Sequence, residues 1–244
     1  MKKILFVFAV LAAAMGCKKV EPTPVPEDVN ITISYTLDTS VGSDMTRTTD
    51  AETFDMFYQK MKSGELVAPN YYLVFTETTT GAKYVFTGLW EEDDMITIRT
   101  GNYRIEGYSK ADGNYIQGKA SLNFEEELSI NSTKTSIALK AKYDCFLLAF
   151  AKSNIIDMRL YYRYYGDSGY LRLNELNGYY YAFCNDVLYS NEPNRKDQAC
   201  ISGERDDRSI FSIYVGNANF EKGKYYIYND VSGSFELPKM EPGI

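Results

Sequence analysis

The chain has 244 residues, a formal net charge of −7 and no histidine. An acidic chain argues against nucleic acid or an anionic lipid surface as the partner, because both are themselves negatively charged. The absence of histidine removes the usual general base, the commonest zinc ligand and every Ser-His-Asp or Cys-His arrangement. We therefore expect no catalytic residues and no cofactor.

The first residues resemble a bacterial export signal that ends in a lipidation site. Lys2 and Lys3 precede an apolar run, Ile4–Ala14, that is too short for a membrane-spanning helix of about 20 residues but suits a secretory signal. The letters AMGC, ending at Cys17, then resemble a lipobox. This predicts removal of residues 1–16 and acylation of Cys17, whose acyl chains hold the protein to a membrane. The alternative is an ordinary signal peptide followed by an unrelated cysteine.

Residues 17–27 predict a lipidated, proline-rich tether, since proline fixes φ and removes a hydrogen-bond donor. We expect an outer-membrane lipoprotein. Acidic residues directly after the lipidated cysteine are a feature of surface-exported lipoproteins of the Bacteroides type. Lys18 and Lys19 occupy those positions here, so the cell surface and the periplasmic face both stay open.

The next part, residues 28–143, is predicted to form an N-terminal β-sandwich. Val29–Leu37 alternates apolar and polar residues, as a half-buried strand does. A capping box at Thr49–Glu52 and an apolar stripe from Phe54 to Met61 predict a short helix, which Gly64 would end. From Tyr71 onward, closely spaced alternating runs bring the unit to about seven to eight strands.

Residues 144–244 are predicted to form a C-terminal β-sandwich with an extended tail. The unbroken apolar run Cys145–Phe150 predicts a strand buried on both faces, at the junction of the two units. Asp186–Arg208 is polar and predicts a long loop. The predicted fold class is therefore all-β, with two consecutive β-sandwich domains and one short helix inserted after the first strand.

The cysteines and the acidic cluster were considered as a disulfide and as metal ligands. Cys184 and Cys200 flank the predicted loop and are candidates for a disulfide, whereas Cys145 lies in an apolar run and is expected to be a buried thiol. No CxxC spacing supports zinc. The cluster Glu91–Asp94 lacks the spacing of a calcium loop and is predicted to be a solvated turn, so we expect no metal site.

In the order of its parts the chain resembles Bacteroides-type fimbrillin-like lipoproteins, in which two transthyretin-like β-sandwiches follow a lipoprotein signal. The resemblance lies in the signal, the tether, the helical insertion and stretches such as YYLVFTETTTGAKYVFTGLW, ITIRTGNYRIEGYS and the terminal FEKGKYYIYNDVSGSFELPKMEPGI. It implies a non-catalytic protein that acts in fimbria assembly, anchoring or adhesion, with other fimbrial subunits as partners.

In the resembled family some subunits polymerise after a protease removes the first strand. The polar stretch Thr39–Asp50 contains Arg47, which is the candidate cleavage site for an arginine-specific protease. The tail Phe235–Ile244 is the candidate strand that another subunit would accept. The competing interpretation is that Arg47 is an ordinary surface residue.

The alternative function is a glycan-binding surface lipoprotein of a nutrient-capture system. Tyrosines crowd the second unit, and on a strand one of each adjacent pair points outward. Exposed tyrosine rings can contact a sugar or a protein, since one end is apolar and the other polar. The candidate ligand face is Tyr162, Tyr164 and Tyr180, with the Asp186–Arg208 loop as a second platform. The competing interpretation is that these rings pair across strands and shield the sheet.

Overall fold

The computed structural model describes residues 26–37, 48–90, 94–110, 116–164, 167–184, 193–195, 198–216 and 220–229. Over these ranges the chain forms sixteen β-strands, one α-helix and one short 3-10 helix. The prediction of an all-β fold with one short helix after the first strand is confirmed.

The first unit contains a seven-stranded sheet in the order β3-β2-β5-β7-β8-β1-β4. Its strands are β1 (Asp28–Leu37), β2 (Asn70–Glu77), β3 (Lys83–Leu89), β4 (Met95–Arg99), β5 (Gly101–Ser109), β7 (Leu122–Ile130) and β8 (Ser136–Tyr143).

This sheet curls around its own apolar face. The indole of Trp90 lies 4.5 Å from the ring of Tyr71 on β2 and 5.1 Å from the ring of Tyr35 on β1, measured between ring centroids. In the sheet order these two strands are four steps apart, which would place them about 19 Å apart if the sheet were flat. Because one indole contacts both rings, the sheet must bend toward itself.

The helix α1 (Thr48–Lys62) contributes side chains to the same core as this sheet. Phe54, Phe57 and Met61 are buried, as the apolar stripe predicted. Gly64 has a φ of +82° and its N–H donates to the carbonyl of Met61 (3.0 Å), so a residue without a Cβ ends the helix. The predicted capping contact of Thr49 lies outside the described side chains.

Two further sheets are formed mainly by strands of the predicted second unit, and one short strand of the predicted first unit joins one of them. The five-stranded sheet has β12 (Asn174–Leu176), β13 (Tyr179–Cys184), β9 (Phe146–Ala151) and β16 (Tyr225–Tyr228) in that order, with β6 (Ile116–Gln117) also paired to β13. The four-stranded sheet has the order β11 (Asp167–Arg172), β10 (Ile155–Tyr164), β14 (Gln198–Arg205) and β15 (Ile210–Gly216). The 3-10 helix is Pro193–Arg195.

Strand β9 is buried on both faces, as the unbroken apolar run predicted. Leu147 and Ala149 belong to the core that includes the seven-stranded sheet and α1. Phe146, Leu148 and Phe150 belong to the core between the five-stranded and four-stranded sheets. The five-stranded sheet is therefore a middle layer whose two faces pack against different partners.

The prediction of a loop over Asp186–Arg208 is wrong for most of its second half, where β14 begins at Gln198. Ala199 and Ile201 point into the core, whereas Cys200 points to the opposite face of the strand. The sequence did not predict this strand because only three consecutive apolar residues, Ala199–Ile201, stand among polar ones. The suggested Cys184–Cys200 disulfide is also wrong: both thiols are free, and Cys184 lies in the core that Cys200 faces away from.

Candidate functional site

The first strand is embedded in its sheet. Thr32–Leu37 pair in parallel with Ser136–Ala141 of β8, and Asp28–Thr32 pair antiparallel with Met95–Arg99 of β4. The two ladders overlap only at Thr32. Each half of β1 is therefore fully bonded on one side, and the neighbouring strands β8 and β4 are staggered along it.

The inward face of β1 is apolar. Ile31 and Ile33 are fully buried and Leu37 is 9% exposed. Burying an isoleucine side chain contributes about 1.5–3 kcal/mol, so these side chains are the main non-covalent hold on the strand besides its ladders. Removing β1 would leave a groove between β8 and β4 that is lined by core side chains and by unpaired backbone groups.

Residues 38–47 connect β1 to α1, and Arg47 is the residue immediately before Thr48, where the helix begins. Arg47 and the other residues of this connection lie outside the described part of the chain, as does Cys17. The predicted cleavage and lipidation sites therefore stay predictions.

The three candidate tyrosines do not share an exposed face. Tyr180 is fully buried on β13, and its hydroxyl donates to the carbonyl of Ile155 (3.4 Å). Burial raises the pKa of the Tyr180 hydroxyl above its usual value. The reason is that β13 belongs to the middle sheet, which is covered on both sides.

Tyr162 is half-buried and packs against the core between the two sheets of the second unit. A Cβ added at Gly169, its cross-strand partner, would lie 3.2 Å from the Tyr162 ring, so the ring lies over this glycine. The alternation of Met158 and Leu160 already placed Tyr162 on the buried side of β10. The side chain of Tyr164 is outside the described residues.

The opposite face of β10 carries a set of residues that the sequence did not single out. Tyr161 faces Tyr170 across the β10–β11 pair, with ring centroids 5.3 Å apart and planes at 69°. Two pairs further along, and so on the same face, Arg159 faces Arg172. The Asp157 carboxylate accepts the Nε–H of Arg159 (2.5 Å) and of Arg172 (2.6 Å). We call these five residues the outer face of the four-stranded sheet.

A cavity of about 710 Å³ opens at the end of the seven-stranded sheet where β1 begins. The Glu77 carboxylate in its wall accepts the hydroxyl and N–H of Thr80 and the N–H of Thr79. The hydroxyl of Thr80 is the main reason that the pKa of Glu77 falls from 4.5 to about 2. On the neighbouring strands, the Ser129 hydroxyl donates to Asn102. These polar groups stabilise the turns around the cavity, and they bond to one another.

The described residues were searched for metal-binding clusters and for thiols with shifted pKa values. Among them, no group of three or more His, Cys, Asp or Glu side chains is placed to hold a metal ion. Burial raises the pKa of the Cys145 thiol to about 12 and also raises that of Cys184, so both are protonated at neutral pH. Of the acidic cluster, residues 91–93 lie outside the described ranges. No helix in the described ranges is long and apolar enough to cross a bilayer.

Comparison with known proteins finds no matching family model and no matching curated protein. Among solved structures, the tip fimbrial protein Mfa3 of Porphyromonas gingivalis, in a C-terminally truncated form, is 7% identical with a TM-score of 0.44, covering 72% of this chain and 94% of that chain. A fimbrial assembly protein of Parabacteroides distasonis is 10% identical with a TM-score of 0.41, covering 87% and 94%.

A candidate cell adhesion protein of Bacteroides thetaiotaomicron is 10% identical with a TM-score of 0.47, covering 86% of this chain and 99% of that chain. At these identities and TM-scores, the similarities by themselves carry no conclusion about what this chain does.

Proposed function

We propose that the protein is a non-catalytic subunit of a fimbria or adhesion structure, acting in assembly, anchoring or adhesion, and held to the outer membrane by acyl chains on Cys17. The observation that carries the proposal is the position of β1. The first strand of the fold lies inside a sheet between β8 and β4, and the chain passes from it to the later strands of the fold through residues 38–47. The fimbrial and cell adhesion proteins compared above are named for the same class of function.

The proposed assembly step begins with cleavage after Arg47. The cut turns β1 into a strand held only by its two ladders and its buried side chains. An extended segment of another subunit can then replace it by strand addition, in which backbone hydrogen bonds supply affinity and alternate side chains fill the groove. The tail Phe235–Ile244 is the candidate donor, although Pro238 and Pro242 lack the N–H needed for a full ladder.

Cleavage has a second consequence for the anchored protein. Because Cys17 lies on the same side of Arg47 as β1, the cut would separate the folded part from its lipid. A subunit that stays at the membrane as an anchor must therefore keep β1.

The assembly step is tested by treating the purified chain with an arginine-specific protease and measuring its size by gel filtration with light scattering. We expect the cut protein to form oligomers and Arg47→Ala to remain a monomer. Arg208→Ala is the matched control, since Arg208 is exposed in the turn between β14 and β15 and should not affect assembly. If the cut protein stays monomeric, the proposed polymerisation is wrong. The protein would then be an anchor, accessory or binding subunit that keeps β1.

A peptide with the sequence of Asp28–Leu37 separates strand exchange from other association. Added in excess during cleavage, it should refill the groove and suppress oligomers. A control peptide with Ile31 and Ile33 replaced by Asn keeps the backbone but loses the buried side chains, and it should not compete. Equal inhibition by both peptides would argue against a groove whose binding depends on the buried side chains of the strand.

The anchor is tested separately with Cys17→Ser. The variant should be exported and recovered in the soluble fraction or left uncleaved, because no acyl chain can be added. A correctly cleaved Cys17→Ser protein that still fractionates with membranes would overturn the lipoprotein assignment.

A further inference from the structure

We propose that the outer face of the four-stranded sheet binds an acidic saccharide, with Arg159 and Arg172 holding its carboxylate and Tyr161 and Tyr170 contacting the sugar ring. This surface belongs to a different sheet from β1, so it does not depend on the assembly step.

A nearly buried carboxylate holds the two arginines side by side, in a position to bind an anion. Arg159 and Arg172 lie directly opposite each other on neighbouring strands, an arrangement that is unfavourable for like charges. Asp157, only 4% exposed, offsets this by accepting one Nε–H from each guanidinium. The Nη atoms of both arginines donate to no other described residue, and the two side chains are 53% and 69% exposed.

The nearby carboxylates do not cancel this positive charge. Two guanidinium groups share one Asp157 carboxylate, which leaves a net positive patch on a chain whose net charge is −7. Glu204, opposite Asp157 on β14, pairs with Arg208 at 2.9 Å. Glu175, on β12 just after Arg172 in the chain, pairs with Lys152 at 2.6 Å. The outward guanidinium edges are therefore complementary to a planar carboxylate, which arginine binds through parallel hydrogen bonds.

The tyrosine pair supplies the second half of the site. Tyr161 and Tyr170 lie two residues along the strands from the arginines, or about 7 Å, on the same face. Tyr170 is 40% exposed. A tyrosine ring presents both an apolar face and a polar hydroxyl, which suits a sugar with apolar C–H and polar O–H edges. A uronic acid unit carries its carboxylate and its ring close enough together to reach both pairs.

The test uses trigalacturonate as the probe and its methyl ester as the matched neutral ligand, with binding to the full-length, uncut protein measured by calorimetry and NMR. We expect the acid to bind and the ester to bind at least about tenfold more weakly, because hydrogen bonds to charged groups are the stronger ones. Binding of the acid should weaken as salt is added.

Variants then assign the residues. Arg172→Lys keeps a positive charge near Asp157 but loses the planar fork, and we expect at least about a fivefold loss of affinity. Tyr170→Ala should also weaken binding. The control is Tyr108→Ala, since Tyr108 is 42% exposed, stacks on Tyr72 and lies near Lys110, yet has no arginine pair beside it. All three positions are exposed, and melting temperatures will verify folding.

Several outcomes would overturn the proposal. Equal binding of the acid and the ester would remove the role of the arginines, as would a folded Arg172→Lys variant with unchanged affinity. An equal loss in Tyr108→Ala would move the site to another sheet. A protein that binds a sulfated saccharide but not trigalacturonate would contradict the carboxylate assignment, and no binding of either galacturonate at millimolar concentration would contradict the site altogether.

Discussion

Strands β9 and β1 both lie between two hydrogen-bonded neighbours, but they differ in how much of themselves they bury. β9 pairs with β13 and β16, and every residue of Phe146–Phe150 is buried. β1 pairs with β8 and β4, and its buried residues alternate with exposed or half-buried ones.

This difference in burial is the reason that we propose β1, rather than β9, as the exchangeable strand. β9 contributes side chains to two cores, so its loss would open both. β1 contributes to one core and has two ladders that meet only at Thr32. Its sequence thus suits a strand that can be replaced by another of the same pattern, whereas β9 suits a permanent layer.

The largest effect is expected from separating the two units. We propose that residues 28–143 fold alone, but with a lower melting temperature and with strong binding of a hydrophobic dye. In the whole chain, the ring of Phe54 stacks on that of Tyr225 (4.2 Å between centroids), and the ring of Phe57 lies 5.2 Å from that of Tyr181. Because both tyrosines belong to residues 144–244, the fragment would expose the two phenylalanines. Urea unfolding and dye fluorescence are the measurements.

The fragment carrying Phe54→Ser serves as its control, since it should bind less dye. A fragment that unfolds without a cooperative transition would contradict a separable first unit. A fragment as stable as the whole chain would contradict the contribution of α1 contacts across the junction.

The next largest effect is expected in β9. Phe150→Ala removes a fully buried ring that stacks on Tyr228 at 4.8 Å, and it should lower the free energy of unfolding by about 3–5 kcal/mol. Urea denaturation gives the value. Ile156→Ala, at an exposed position, is the control and should change stability by no more than about 0.5 kcal/mol. A loss below about 1 kcal/mol for Phe150→Ala would show that this core repacks easily.

Ile33→Ala is the corresponding change in β1, with an expected cost of about 2–5 kcal/mol. Hydrogen exchange distinguishes this variant from Phe150→Ala. In Ile33→Ala, faster amide exchange should be concentrated in β1, β4 and β8. The same measurement on Phe150→Ala should show faster exchange in both sheets of the second unit. If Ile33→Ala instead accelerates exchange equally throughout the protein, β1 is not a separately exchangeable strand.

The smallest effect is expected at Glu77, whose pKa is lowered to about 2 chiefly by the Thr80 hydroxyl. A group with a lowered folded pKa stabilises the fold fully above its unfolded value of 4.5, and this contribution is lost as the pH falls toward 2. The melting temperature of Glu77→Gln should therefore lie below that of the wild type at pH 6, and the difference should shrink by pH 2. A difference that does not depend on pH would assign the effect to the turn geometry.

The sequence predicted the outline of the fold because its signals are local. Alternation at Val29–Leu37 gave β1, the apolar stripe of Phe54, Phe57 and Met61 gave α1, and the unbroken run at Cys145–Phe150 gave β9. Each prediction depends on side-chain spacing along one element, and spacing can be read without knowing the neighbours.

The candidate site was harder to predict, because exposure depends on what covers a sheet. Tyr180 was expected to face outward, yet its sheet is covered on both sides. Tyr162 lies on the apolar side of β10, so the outward ring is its neighbour Tyr161. The role of Asp157 was also hidden, since only strand pairing brings Arg172 beside Arg159.

The sequence by itself therefore determined the all-β class, the helix after the first strand and the doubly buried strand, since these follow from residue periodicity. The tertiary structure alone decided that β1 lies between β8 and β4. It also decided that four residues of β10 and β11 share one outward face, namely Tyr161, Tyr170, Arg159 and Arg172. Both depend on register between strands far apart in sequence. A shift of one residue in that register would turn every such side chain to the opposite face.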